Sequence, residues 1–352
     1  MKKHYYWIDL IRFLAAFLVM LGHLRQSSFV EFGLLPDSEK NIFIMIIYLF
    51  LRIGHEAVLI FFVMSGFLVG GKALERTMSG TFNVKDYSID RAVRIMLPLI
   101  GALLLLLIVN FIIGIKNNYF ELLGNLFSLQ GILVESASSP LWSLSYEVWF
   151  YILFGALCYF FIKKNVISLI VLIMSFIVFT KLNYIYLILW LIGVVIYHYT
   201  PKKISKSRAL VYGFLTIAFM LGMQLTSKSR AIDLNFITPF LNRDVMHILF
   251  ALSFSLLLVQ IIHIVPQKKL SVKINNLGSK LALFSYTLYL THIIIIGLLK
   301  YIGFPKSQSI NFTSILLYFS QVIICLISAY LIYLLFEKHT DIVKKWIKSK
   351  IT

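Results

Sequence analysis

The stretch IDLIRFLAAFLVMLGH, Ile8 to His23, is apolar enough to enter a bilayer, yet it carries Asp9, Arg12 and His23. A charge at the middle of a membrane helix costs on the order of 2.5–3.5 kcal/mol on insertion scales. A plain anchor has no use for an arginine and a histidine, so this helix points to chemistry in or near the membrane. Arg12 and His23 are 11 residues apart. At about 100° and 1.5 Å per residue they share one helical face, roughly 16 Å apart along the axis. Asp9 precedes Arg12 by one turn and can pair with it. Ala15 and Ala16 leave room for a neighbouring helix to pack closely.

The rest of the chain has the same character. Of its 352 residues, 60% are hydrophobic and 14% charged, and the mean hydropathy is +0.88. Those values exclude an ordinary soluble domain. No hydrophilic block is long enough for a separate soluble fold. Lipid tolerates only helices or closed barrels, and the apolar runs exceed the roughly ten-residue alternating strands of a barrel. The expectation is an all-α, polytopic membrane helix bundle, one domain over residues 1–340 with a short basic tail, 341–352.

Windows of about 20 apolar residues predict ten crossings near 7–24, 55–71, 97–115, 147–163, 166–181, 184–199, 209–226, 244–264, 281–299 and 314–336. The short apolar stretch 41–52 reads as an interfacial helix. Alternate connections carry 22 Lys and Arg on one side, including Lys2, Lys3, Lys202 and Lys203, against 10 on the other, including Lys228 and Arg230. The positive-inside rule then places both termini in the cytoplasm. The net charge of +18 is therefore topological, and nucleic acid is not an expected partner. Cys158 and Cys325 lie inside apolar runs, which argues against a disulfide framework or a metal site. Asp9 and Arg12 in the first run argue against a removable signal peptide, and His4, Tyr5, Tyr6 and Trp7 read as an inner interfacial anchor.

Each polar group has a plain reading beside a functional one. Asp9 and Arg12 can snorkel to the inner interface and His23 to the outer one. Histidine is also the side chain best suited to proton transfer near neutral pH. Arg91 and Arg94, three apart, share a helical face and serve either as inner-loop charges or as a fork for phosphates. Ser145 reads as an N-cap with Glu147 in the first turn; alternatively Glu147 orients His23 or holds a sugar hydroxyl. Trp142, Trp149 and Tyr151 suit sugar stacking as well as an aromatic belt. His292, beside Tyr289 and Ser285, reads as a bonded core histidine or a binding group. His55 and Glu56 open the second predicted span on the outer side.

Five blocks, in order, resemble the acyltransferase-3 family of membrane O-acyltransferases. They are Arg12-x10-His23, FFVMSGFLVG (Phe61–Gly70), DRAVRIMLP (Asp90–Pro98), LWSLSYEVWFYILF (Leu141–Phe154) and FSYTLYLTH (Phe284–His292). The family usually shows two adjacent acids in the fourth block; here Tyr146 replaces one.

The resemblance implies transfer of an acyl group, often acetyl, from cytoplasmic acyl-CoA to a hydroxyl, commonly on a cell-surface or lipid-linked glycan. It implies a bacterial cytoplasmic membrane. His23 is then the expected general base or acyl carrier, with Arg12 and Glu147 catalytic beside it. Arg91 and Arg94 are the expected CoA ligands, and Asp9, Trp142, Tyr151, Tyr289 and His292 the substrate contacts, with no metal. Some relatives carry an extra soluble domain; residues 337–352 leave no room for one, which implies direct glycan modification or a partner. A homo-oligomer is compatible. The rival functions are a proton-coupled transporter and a non-catalytic scaffold.

Overall fold

The computed structural model describes residues 5–199, 201, 204–225, 242–306 and 308–351. His4, Lys2, Lys3, Lys202, Lys203, Lys228 and Arg230, used in the readings above, lie outside them. The described residues are helical, with no strand beyond two isolated bridges. In chain order the helices are α1 (Ile8–Ser28), α2 (Ile42–Leu51), α3 (Gly54–Ser65), α4 (Lys72–Met78), α5 (Val84–Ile113), α6 (Tyr119–Leu126) and α7 (Trp142–Lys163). They continue with α8 (Val166–Phe179), α9 (Ile185–His198), α10 (Lys206–Leu225), α11 (Arg243–Ile261), α12 (Lys269–Ala282), α13 (Ser285–Tyr301), α14 (Phe312–Leu335) and α15 (Thr340–Ile351). A π-helical turn, Gly66–Gly71, joins α3 to α4.

Asparagine starts six of these helices. The side chains of Asn41, Asn83, Asn118, Asn165, Asn242 and Asn311 each accept a backbone N–H from the first turn of α2, α5, α6, α8, α11 and α14. Such a cap satisfies an amide that the helix itself leaves unpaired. Gly114 ends α5 at φ +81°, the left-handed conformation that glycine adopts without strain.

Among the described residues, five helical stretches are long and apolar enough to cross a membrane: Ile42–Met78, Val84–Ile113, Ser139–Lys163, Arg243–Ile261 and Phe312–Lys350. Counting α12 with α13 makes six. That is fewer than the ten expected crossings, for physical reasons. Asp9, Arg12 and Arg25 dilute α1, and α8 and α9 have 14 residues each, about 21 Å of helix against a core of about 30 Å. Large apolar side chains are nevertheless exposed along whole helices, such as Leu104, Ile108 and Phe111 on α5 and Phe319 and Ile323 on α14. Faces of that kind belong in lipid. The protein is an integral membrane helix bundle.

By internal contacts the chain forms two compact units. The first comprises residues 1–15, 32–74 and 183–282. Here the glycines of the FFVMSGFLVG block have a packing reason. A Cβ on Gly66 would sit 1.9 Å from the Trp190 carbonyl oxygen, and one on Gly193 would sit 2.1 Å from that of Val63. The crossing of α3 and its π-turn over α9 is thus backbone against backbone, and Trp190 Nε1 donates to Ser65 Oγ beside it (3.1 Å).

The second unit comprises residues 16–31, 75–182 and 283–352. Helices α5 and α7 run antiparallel, because Tyr87 abuts Gly155 whereas Arg91, four residues later on α5, faces the Tyr151 ring, four residues earlier on α7; Tyr87 also donates to the Tyr151 carbonyl. Helix α13 packs on α5 and α14. The segment between α6 and α7 is folded on buried polar groups. Asn125 donates to the carbonyls of Glu121 and Glu135 (both 2.8 Å) and accepts from Ala137 N–H, and Gln130 donates to the Leu141 carbonyl (2.7 Å). The basic tail is ordered as α15, which docks on α5 through Lys348 to Asp86 (2.7 Å) and Asp90 (3.2 Å).

Candidate active site

The second unit holds most of the expected site residues, and it gives His23 a specific partner. Nδ1 of His23, on α1, lies 2.9 Å from Nε2 of His292, on α13, with the rings stacked at 5.1 Å. His292 is fully buried, and its Nδ1 lies 3.0 Å from the Leu288 carbonyl oxygen one turn earlier. His23 is only partly covered, so it is the ring of the pair that can meet a substrate. The ring beside His23 is thus that of a second histidine.

Glu147 belongs to a neighbouring cluster. Helix α7 begins at Trp142, after a short 3-10 turn, Ser139–Leu141, and has no side-chain cap. Ser145 is therefore not an N-cap: it lies within the first turn, and its hydroxyl donates to the Ser128 carbonyl (3.0 Å), as does Trp149 Nε1 (3.2 Å). Glu147, two residues beyond Ser145, accepts from the Tyr151 hydroxyl. The Tyr151 ring faces the Arg91 guanidinium at 5.9 Å, a cation–π distance. Trp142 packs edge-on against Tyr146.

Tyr289 completes the line. Its hydroxyl lies 2.7 Å from Ser143 Oγ and donates to the Pro140 carbonyl (3.0 Å), and its ring is 6.2 Å from that of His292. Ser143, Glu147 and Tyr151 are spaced at i, i+4 and i+8, so they form one stripe about 12 Å long on α7. The stripe connects the histidine pair at one end to Arg91 at the other. Arg91 lines a cavity of about 280 Å³ with Tyr87, Ile95, Ser128, Val148 and Tyr151 among its walls, and it makes no ion pair among the described residues.

Arg94 turns elsewhere. Its guanidinium lies 2.9 Å from Glu337, whose side chain is 1% exposed, and 6.0 Å from the Tyr286 ring. The second oxygen of Glu337 accepts both N–H (3.2 Å) and Oγ1–H (2.6 Å) of Thr287. Thr287 is the third residue of α13, so Glu337 caps α13 from the far end of α14, where a negative charge also suits the helix dipole. The two arginines share a helical repeat but not a job.

Arg12 and Asp9 lie in the other unit. They form the expected i, i+3 pair at 3.1 Å, and Arg12 also reaches the Ala282 carbonyl that ends α12 (3.4 Å). That helix comes close to α1, since a Cβ on Gly278 would meet Leu10 at 2.6 Å. His55 is paired there with His247, Nε2 to Nε2 at 3.3 Å, beside the buried Glu56.

The family model described as an acyltransferase domain, that of the acyltransferase-3 family, matches residues 5–334. The chain belongs to the acyltransferase-3 family. No curated protein and no solved structure matches it. Membership makes the protein a membrane acyltransferase. The matched region takes in every candidate residue above but stops short of Glu337. Ser143, Tyr286 and Glu337 were not singled out in the sequence. A serine, a tyrosine and an acid at a span end are unremarkable in composition, and only their contacts give them meaning.

Proposed function

We propose that this acyltransferase-3 protein is an O-acyltransferase that moves an acyl group, acetyl in the simplest case, from cytoplasmic acyl-CoA to a hydroxyl of a lipid-linked or surface glycan, with His23 as the general base. The observation that carries the reading is the α7 stripe. It joins a mainly apolar cavity that carries Arg91 on its wall to a partly covered histidine within one packed unit. Arg91, without an ion pair among the described residues, is the group for CoA phosphates, which arginine binds through charge-assisted bonds. The Ser143–Glu147–Tyr151 stripe then leads toward His23. Glu147, already accepting from Tyr151, can also accept from a sugar hydroxyl and so align it.

In the reaction, a ring nitrogen of His23 takes the proton of the acceptor hydroxyl as its oxygen adds to the thioester carbonyl. The tetrahedral adduct collapses with loss of the C–S bond, and His23 returns the proton to the departing sulfur. General base catalysis of this kind contributes about 10²–10⁴-fold. The reading includes ten crossings with both termini cytoplasmic, in a bacterial cytoplasmic membrane.

The test is purified protein in lipid with labelled acetyl-CoA and a glycolipid extract, beside His23→Ala. Alkali-labile label on glycan together with CoA release, both lost in the variant, supports the reading. Transfer that persists in His23→Ala removes His23 as the base. Solute movement without CoA release replaces the reading with transport.

A further inference from the structure

We propose that His292 is a positioning residue that fixes the tautomer of His23, so that Nε2 of His23 is the atom that receives the acceptor's proton. The inference rests on reading His23 as the base and adds which nitrogen acts and why.

It follows from one carbonyl. The Leu288 oxygen can only accept, so Nδ1 of His292, 3.0 Å away, carries a hydrogen. A second hydrogen on Nε2 would make His292 an imidazolium. His292 is 0% exposed, and no carboxylate contacts it among the described residues. An unpaired charge in such a place costs several kcal/mol, so His292 is neutral and its Nε2 bears a lone pair. The hydrogen in the 2.9 Å contact therefore belongs to Nδ1 of His23, and the backbone of Val19, four residues before His23 as Leu288 is four before His292, also bonds to this ring. A neutral imidazole has one N–H, which leaves Nε2 of His23 bare.

The chain then reads Leu288 C=O, H–Nδ1 of His292, Nε2 of His292, H–Nδ1 of His23, and the open Nε2 of His23. When that Nε2 takes the proton from the acceptor oxygen, the new cation keeps its Nδ1–H on the His292 lone pair, and the bond becomes charge-assisted. When the C–S bond breaks, Nε2–H protonates the thiolate and the neutral pair is restored. A carboxylate orients histidine in hydrolase triads; here a neutral imidazole does so, which avoids burying a fixed negative charge among the apolar neighbours Leu288, Ile295 and Ile296.

Wild-type protein carrying nitrogen-15 histidine, held in lipid discs, gives the first test. The signals of His23 are those lost in His23→Gln. The expected spectrum has hydrogen on Nδ1 and none on Nε2 of His23; hydrogen on Nε2 overturns the proposal without needing any change at position 292.

Turnover gives the second test. His292→Leu removes the acceptor and is expected to lower kcat at least about 10–100-fold, the cost of losing the group that orients a metal-ligating histidine, with little change in KM for acetyl-CoA. His292→Gln, whose amide oxygen can accept the same Nδ1–H, is expected to recover most of the rate. Folded His292→Leu at wild-type rate, or folded His292→Gln no better than His292→Leu, overturns it. If transfer proves independent of His23 itself, the base reading falls first. If His23 is required but carries its hydrogen on Nε2, only the role of His292 falls.

Discussion

Removing the carboxylate of Glu337 should damage the fold far more than removing the arginine that pairs with it. Glu337 accepts two hydrogen bonds from Thr287 and lies against Arg94, with its side chain 1% exposed. Hydrogen bonds to a charged group are worth about 1.5–3 kcal/mol each. Glu337→Ala loses both and strands the Thr287 amide at the buried start of α13, so the expected loss is about 3–5 kcal/mol, as for breaking a buried pair. Glu337→Gln keeps an acceptor for Thr287 but turns an NH₂ group toward the guanidinium; about 1.5–3 kcal/mol is expected. Arg94 is 36% exposed and its contact is close without being an aligned hydrogen bond. Solvent screening limits the ion-pair part of Arg94→Gln to about 1 kcal/mol, because the buried carboxylate left behind keeps both Thr287 hydrogen bonds and can take up a proton in place of the lost cation. Reversible unfolding of detergent-solubilised protein by an anionic denaturing detergent would rank the four forms. The order wild type, Arg94→Gln, Glu337→Gln, Glu337→Ala is required. Glu337→Ala within about 1 kcal/mol of wild type would refute the capping argument, as would Arg94→Gln being the worst of the set.

The two arginines should also separate kinetically. Arg91→Gln is expected to raise KM for acyl-CoA about 10–100-fold, the worth of a charge-assisted phosphate contact, at nearly unchanged stability; Arg94→Gln should leave that KM close to wild type. Lys348 holds Asp86 and Asp90, five residues and one residue before Arg91, with Lys344 3.8 Å from Asp90. Lys344→Gln/Lys348→Gln should therefore weaken acyl-CoA binding by freeing two carboxylates, and adding Asp86→Asn/Asp90→Asn should restore it; a double variant that binds normally refutes that electrostatic account. Gly66→Ala forces a Cβ to within 1.9 Å of the Trp190 carbonyl and should cost at least the 1–3 kcal/mol of an overpacked core, read as loss of folded protein on size exclusion.

Much of this was legible as pattern and little as contact. The Asp9–Arg12 pair could be read from a three-residue spacing, because partners on one helix are fixed by its geometry. Asn83, Asn165 and Asn311 were not singled out in the sequence; only the folded helix ends show that each satisfies a first-turn amide. His23 with His292, 269 residues apart, could not be paired from periodicity. Ser145 was misread as a cap because the helix was expected to start where the apolar run starts, whereas Pro140 in the 3-10 turn lets it begin at Trp142. Arg91 and Arg94 look equivalent in sequence; only the buried Glu337 distinguishes them.

The polar groups of the second unit can be sorted by what already neutralises them. Arg94 is balanced by Glu337, Lys348 by Asp86 and Asp90, and Tyr289 by Ser143 and Pro140. Groups so engaged hold helices together, and an exchange of partners during a reaction would cost them their burial. Arg91 makes no ion pair among the described residues, and His23, beside His292 and bonded to the backbone of Val19, is only partly covered. A cation at a cavity and a partly covered base at the far end of the same stripe are the pair that acyl-CoA transfer needs, one to hold phosphate and one to move a proton. The interactions that stabilise the unit therefore leave these two side chains as its means of doing chemistry, and substitutions at Arg91 and His23 should cost activity while the folded state survives.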